Sequence, residues 1–396
     1  MQKIFSFLII FFLLSACQQR KKDTKEIGYS KMQLVERLIK ETQESFIPDK
    51  RDHIFDIQVK ANEDKVILIG STDYMKAHHH LKNMLINHKI VFADSIRQLP
   101  IIEFFEKIGI TRLSVANLRA KPKHASELVT QTLMGTPLRI LQKENGFYQV
   151  QTPEGYYAWV DAAGIVLKSK NEFEKWLAKP KVIVTNMCGM IYSEKKSILY
   201  PISDYVLNDV FAIKKVEKIY TIIEYPDGRT GIIDNKDISD IQLLNKSIFT
   251  KNLPEKIAET AKHYMGIPYL WGGTSAKGLD CSGFTKNVYA QYGYLLPRDA
   301  SQQVKIGKKI EITDSFAHLQ AGDLLFFGRM QNGKEKITHV AIHLGNGKII
   351  HETGEVKIES LNPKDSNYNK NRHNSLMQAR RIIGNYPQTF IGGYTN

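Results

Sequence analysis

The residues of this chain best suited to chemistry are one cysteine and two histidines. Cys281 stands in Asp280-Cys281-Ser282-Gly283-Phe284, where Asp280 is a good helix N-cap. Phe284, Val288 and Tyr292 then recur at four-residue spacing, the stripe of a buried helix. A thiol in the first turn faces unsatisfied backbone N–H groups and the positive end of the helix dipole. Both favour the thiolate, the nucleophilic form. His339 and His351 follow downstream, on either side of an expected hairpin. A cysteine with later histidines in an exported chain reads as a nucleophile with its base.

In acyl transfer His339 would take the thiol proton and later protonate the leaving amine. A third polar residue must fix its ring, and His351 is the candidate. Strand parity restricts how this can happen. A two-residue Asn346-Gly347 loop sets 342 against 351 and puts His339 and His351 on opposite faces. A three-residue Gly345-Asn346-Gly347 loop pairs 341 with 351 and brings them to one face, so the triad requires that bulged loop or another of odd length. His343 shares the face of His339 and competes with it. The backbone N–H of Cys281 would serve as one oxyanion donor.

These residues need a scaffold, and the chain is long enough for several domains. Residues 28–108 read as a small α+β module of order αββαβ. His78-His79-His80 within it resembles a metal tract, but adjacent helical residues splay apart, so the reading is a solvated helix face. Residues 110–168 change to short period-2 strands, the pattern of a small barrel. Residues 170–178 read as a linker helix. A more divergent barrel is expected over 180–242, with Asp227-Gly228 turning a hairpin. Residues 245–396 place helices first and strands afterwards, the order of an α+β domain.

The motifs of this last unit carry a resemblance. They are Tyr269-Leu270-Trp271-Gly272-Gly273, Asp280 to Phe284, Leu296-Pro297-Arg298-Asp299-Ala300-Ser301-Gln302-Gln303, Ala321 to Phe327 and Thr338 to Gly347. Together they are similar to the NlpC/P60 family of papain-like cysteine peptidases, which cut bacterial cell-wall peptides. The resemblance puts only His339 at the base position, supports His351 as third residue and adds the Tyr269 hydroxyl as a second oxyanion donor. Trp271, Ser282 and Arg298 are expected to line or brace the substrate cleft. Ser114 to Arg119 and Gly155 to Val160 resemble a bacterial SH3 domain. The fold expected is therefore multidomain: a papain-like catalytic domain preceded by two all-β SH3-like barrels and the small α+β module.

A further resemblance concerns substrate. In SH3-bearing relatives that process muropeptides, the dipeptidyl-peptidase VI type, a Glu and a Tyr of the first barrel join the Asp before the cysteine. These three hold a free N-terminal L-Ala ammonium. Ala125 to Val129 and Gly155 to Trp159 match those positions, giving Glu127, Tyr156 and Asp280, with Tyr157 as the alternative register. Two carboxylates and a phenol suit an ammonium. The implied reaction is hydrolysis of the γ-D-Glu–diamino acid bond through a thioester. The alternatives are an endopeptidase acting on intact wall and a non-catalytic wall-binding SH3 lipoprotein.

The first residues fix the expected compartment. Met1-Gln2-Lys3, the apolar run Ile4 to Leu14, and Leu14-Ser15-Ala16-Cys17 read as a signal peptide over 1–16 that ends at a lipoprotein box. Cys17 would bear the lipid, residues 17–27 would form a tether, and the chain would sit on the outer membrane facing the periplasm. With Cys17 acylated, Cys188 and Cys281 remain as free thiols, Cys188 a core residue. The 55 Lys and Arg against 41 Asp and Glu give a net charge of +14. No arginine cluster interleaved with aromatics accompanies it, so nucleic acid is not the expected partner. Cell-wall peptides are, and the chain reads as a monomer needing neither metal nor organic cofactor.

Overall fold

The computed structural model describes residues 31–62, 65–193, 200–242, 244, 252–313 and 315–389. The expected signal peptide and tether, with Cys17, lie outside the described residues. Among those described, no helix is long and apolar enough to cross a membrane. The chain divides into two units, one ending at Ile102 and one beginning at Glu103.

The first unit runs helix (31–46), strand Phe55–Asn62, strand Lys65–Thr72, helix Met75–Asn87 and strand Phe92–Gln98. Its sheet is antiparallel across the first pair and parallel across the second, as a helical crossover requires. Val35, Leu38, Leu68, Leu81 and Leu85 form its core. His78 departs from the solvated face expected of it. It is buried, and its Nε2 lies 3.0 Å from Asp94 Oδ2 on the last strand, because residue 78 shares the helix face of Leu81 and Leu85.

The second unit begins with two antiparallel sheets of seven strands each. The first contains, in chain order, Lys107–Thr111, Val115–Arg119, Leu128–Leu133, Pro137–Glu144, Phe147–Gln151, Tyr157–Asp161 and Ile165–Ser169. The second spans Lys181–Val184 to Ile238–Asp240. Numbered within each sheet, both have the spatial order 7-1-4-5-6-2-3. In each, an aspartate (Asp161, Asp234) caps a short 3₁₀ turn before the last strand. The helix Lys170–Ala178 starts with a Ser169–Glu172 capping box and buries Phe173 and Trp176 against Ile110, so it belongs to the first sheet's core as well as linking the two sheets. Cys188 is exposed rather than a core residue: the alternation of Cys188–Tyr192 turns Ile191 inward and Cys188 outward.

The remaining residues form an antiparallel sheet of six strands. In spatial order these are Lys308–Ile310, Leu376–Arg381, Leu324–Gln331, Lys334–Gly345, Lys348–Thr353 and Glu355–Ser360. Helices Leu253–Lys262 and Cys281–Ala290 cover one face, with Ile257, Ala261, Phe284 and Val288 against Phe326, Val340, Ile342 and Ile350. On the other face Phe316, Leu319 and Leu361 pack on Leu325, Phe327, Ala341 and Ile349. One face is helical and the other loop-covered, so the domain is α+β.

Candidate active site

Cys281 opens its helix as the sequence predicts. Asp280 is the N-cap, and its Oδ1 accepts from the Gly283 N–H at 2.8 Å. The backbone N–H groups of Ser282 and Val340 both point at the thiol, so Cys281 meets the histidine strand next to His339. The helix start favours the thiolate as expected, but it is opposed here. Burial, assisted by the charge of Asp280, pushes the thiol up to about 11 despite those N–H groups and Arg298. Desolvation here outweighs the helix dipole.

The two histidines come together, but not through the loop expected. Gly345 faces Lys348 around a two-residue Asn346-Gly347 turn, both turn residues at positive φ. Beyond it His343 faces Ile349 and Ile342 faces Ile350, so Leu344 is an unpaired bulge residue. The bulge restores the odd register that a three-residue loop would have given. His339 Nε2 lies 2.8 Å from His351 Nδ1, with the two rings edge to face. A second bulge, at Thr338, precedes His339 on the side of its other neighbour strand. His343 is spent on structure: its ring nitrogens bond Gln320 O at 3.0 Å and the Gly347 N–H at 3.3 Å.

The chain of polar contacts runs further than the sequence indicated. His351 Nε2 lies 2.9 Å from Glu359 Oε2, and Glu359 also accepts from Asn369 Nδ2 at 2.6 Å. The hydrogen bond from His351, aided by the one from Asn369, holds Glu359 down to about 2, so it is a carboxylate and can only accept. His351 therefore carries its proton on Nε2. Burial lowers the basicity of both rings, that of His339 well below the ordinary value, with Arg372 and His351 adding to the effect on His339. Both are neutral, so His351 Nδ1 accepts from His339 Nε2–H. The lone pair of His339 then sits on Nδ1, the nitrogen that no hydrogen bond engages among the described residues. A base in this tautomer can take a thiol proton as the sulfur attacks.

Glu359 escaped the sequence reading because the strand Glu355–Ser360 was not recognised. The signal was Gly354, at positive φ between two alternating runs, which sets Lys357 opposite His351 and turns Glu359 to the same face. Arg372, on the helix Lys370–Ser375, escaped as well and had no sequence signal.

Tyr269 is clamped by its backbone: its N–H donates to Gly354 O at 2.9 Å, and it bridges Leu279. Burial and the neighbouring Cys281 push its phenol up to about 12, so it remains a hydrogen-bond donor. Of the two roles expected of Arg298, lining or bracing the cleft, the geometry shows bracing. It is 2 % exposed, and Nη1 donates to Asp280 Oδ1 and Ser282 Oγ at 3.0 Å each, while Nη2 reaches Asp280 Oδ2. It braces the Asp280 carboxylate, which also accepts from Gly272 N–H and Ser282 Oγ. Ser282 is likewise buried in this network. Glu352, next to His351 but facing the opposite way, is fully buried, and neither carboxylate oxygen has a hydrogen-bond partner among the described residues. Burial, then the charge of Asp280, push it up to about 7.

The first barrel grips this loop directly. Gln131 exchanges hydrogen bonds with Thr274 through backbone and side chain, and its Oε1 also accepts from Ser275 Oγ at 3.0 Å. Gly272, at φ +77, lies so close to the barrel that a Cβ there would stand 2.3 Å from Leu128 O. Glu127, immediately before that strand, is thereby delivered to the cleft, where its Oε1 accepts from Trp271 Nε1 at 2.8 Å. Tyr156 lies in the electrostatic surroundings of Arg298. Glu127, Tyr156 and Asp280, distant in sequence, thus gather around the loop from Trp271 to Asp280.

Residues 266–377 match the model of the NlpC/P60 family, and residues 118–165 match that of the bacterial dipeptidyl-peptidase SH3 domain. The γ-D-glutamyl-L-lysine dipeptidyl-peptidase of Bacillus cereus is 30% identical over 239 residues, which are 58% of this chain and 68% of that protein. This chain belongs to the NlpC/P60 family. As a member it is a cysteine peptidase. Dipeptidyl-peptidase 6 of Lysinibacillus sphaericus is 29% identical to this NlpC/P60 peptidase over 276 residues, 64% of this chain and 92% of that protein. A crystal structure of an NlpC/P60 family protein from Bacillus cereus superposes with a TM-score of 0.59 at 24% identity, over 69% of this chain and 99% of that one. That likeness concerns the fold.

Proposed function

We propose that this peptidase hydrolyses the γ-D-Glu–diamino acid bond of peptidoglycan-derived peptides that carry a free N-terminal L-Ala. Cys281 attacks the γ-carbonyl while His339 Nδ1 takes its proton. The oxyanion is held by the Cys281 N–H and the Tyr269 hydroxyl, donors of the kind worth about 3 kcal/mol each. His339 returns its proton to the leaving amine, the thioester forms, and water hydrolyses it by the reverse proton path. His351 fixes the ring of His339, and Glu359 fixes the tautomer of His351.

The observation that carries the substrate reading is the Trp271–Glu127 hydrogen bond, which sets a barrel carboxylate at the cleft. Glu127 and the Tyr156 hydroxyl would hold the ammonium. Asp280, its oxygens already shared with Arg298, Ser282 and two backbone N–H groups, contributes charge at closer range. The names of the relatives agree with this class of bond. We read the second seven-stranded sheet as a second SH3-like barrel, supported by the strand order it shares with the first. We also place the chain, as a monomer anchored by lipid on Cys17, at the outer membrane facing the periplasm, on the strength of its first residues. Digestion of intact sacculi and of amidase-released wall peptides, read by mass spectrometry, tests the reading. Cleavage of the released peptides alone supports it; equal cleavage of both favours an endopeptidase of intact wall.

A further inference from the structure

Arg372 is a cation that the mechanism above does not use. Its guanidinium is half-buried, its Cζ lies 5.7 Å from the centroid of the Phe327 ring, and it makes no hydrogen bond or ion pair among the described residues. His339 packs against the same Phe327 ring, 5.7 Å away between centroids. A continuous chain of contacts fixes the relation of the two. The backbone N–H of Arg372 donates to Asn369 Oδ1 at 2.9 Å, Asn369 Nδ2 donates to Glu359, Glu359 accepts from His351, and His351 accepts from His339. Cys281, His339, His351 and Glu359 all feel its charge.

The side of the cleft follows from the chemistry. His339 must protonate the departing nitrogen, so the leaving amino acid lies on the His339 side of the thiol. The bond assigned above puts the acyl side towards Trp271, Asp280 and Glu127. A half-buried guanidinium beside His339 therefore faces the leaving residue, whose α-carboxylate is attached to the carbon that bears the departing nitrogen. Guanidinium binds carboxylate in a fixed two-pronged geometry, and its burial makes such a pair worth more than at the open surface.

We propose that Arg372 is a specificity-determining residue of the leaving-group subsite and recognises a free carboxylate on the diamino acid. This rests on the bond assigned above. Substrates ending at the diamino acid would then be preferred to those continuing into further residues. The class of reaction that supplies them is a carboxypeptidase that trims the peptide back to that residue.

The test compares kcat/KM for L-Ala-γ-D-Glu-L-Lys as the free acid and as its α-carboxamide, in the wild type and in Arg372→Gln. The wild type is expected to prefer the acid on the order of tenfold or more, as for a charged hydrogen-bonded pair. Arg372→Gln should abolish the preference, and Arg372→Lys should retain part of it. A third substrate, L-Ala-γ-D-Glu-meso-diaminopimelate amidated at the α-carboxyl of the diaminopimelate, keeps only the distal one of that residue's two carboxylates. Dependence on Arg372 there assigns recognition to the side chain, and its loss assigns it to the α-carboxylate. Equal wild-type rates on all three would overturn the proposal without need of a variant. So would an Arg372→Gln defect of the same size on acid and amide, which would reduce Arg372 to an electrostatic neighbour of the thiol. Failure of the wild type to cut any of them would instead refute the assigned bond.

Discussion

His339 Nε2 stands 2.8 Å from His351 Nδ1, and that contact decides which nitrogen of the base is left free to take a proton. Because Glu359 is held as a carboxylate, the protons of the row run outward from His339 to Glu359, leaving His339 Nδ1 bare. The bulge at Leu344 makes the contact possible by setting both histidines on one face.

The first prediction concerns acid pH. Burial, with Arg372 and His351, holds His339 well below the ordinary 6.5 of histidine, so its neutral form persists as pH falls through that value. The profile of kcat/KM on a released tripeptide should stay level through pH 6.5 and fall only well below it. A midpoint at or above 6.5 would show that His339 is an ordinary histidine.

Glu359→Gln removes the carboxylate that selects the His351 tautomer. We expect kcat to fall roughly 10- to 1000-fold, by analogy with loss of the orienting acid in other triads, with KM little changed. Near-UV circular dichroism would verify that the variant is folded. A folded variant of wild-type kcat would remove Glu359 from the catalytic row.

Gly272→Ala tests the seam between barrel and cleft. The added methyl would meet Leu128 O at 2.3 Å on backbone of positive φ. The expected cost is roughly 1–3 kcal/mol of stability, read by denaturant midpoint, together with a raised KM as Glu127 is pushed from Trp271. A variant of unchanged stability and KM would mean that the seam does not hold the two together.

Glu352→Gln should stabilise the protein at neutral and alkaline pH. The folded state raises this carboxyl from 4.5 to about 7, so the folded form binds its proton more tightly than the unfolded form. Wild-type stability therefore falls as pH rises from about 4.5 through 7, by at most about 1.4 kcal/mol for each pH unit. Unfolding curves of the two proteins should coincide near pH 4 and separate above pH 7. Coincidence throughout would show that Glu352 finds a partner in solution.

Much of this arrangement was legible from the chain. The cap at Asp280 and the helical stripe after it placed Cys281, and parity arguments posed the right question about His339 and His351. The turn itself could not be read: a bulge is set by tertiary pairing, and Leu344 carries no local sign of one. Burial caused the larger errors. The helix start of Cys281 implied a thiolate, and only the packed structure shows how far desolvation opposes it. Arg298 read as lining or bracing the cleft, but its partner in that brace, the Asp280 carboxylate, emerges only from three-dimensional packing. Glu359 and Arg372 depend on a strand and a loop that return to the site from far along the chain, where no periodicity points.

The central claim is that a free amino end, sensed by Glu127 across the Trp271 contact, is required for cleavage. Its most direct measurement is kcat/KM for L-Ala-γ-D-Glu-meso-diaminopimelate with a free and with an N-acetylated amine, in the wild type and in Glu127→Ala. The account predicts a wild-type preference for the free amine on the order of a hundredfold, largely lost in the variant. Equal cleavage of both peptides by the wild type would contradict it.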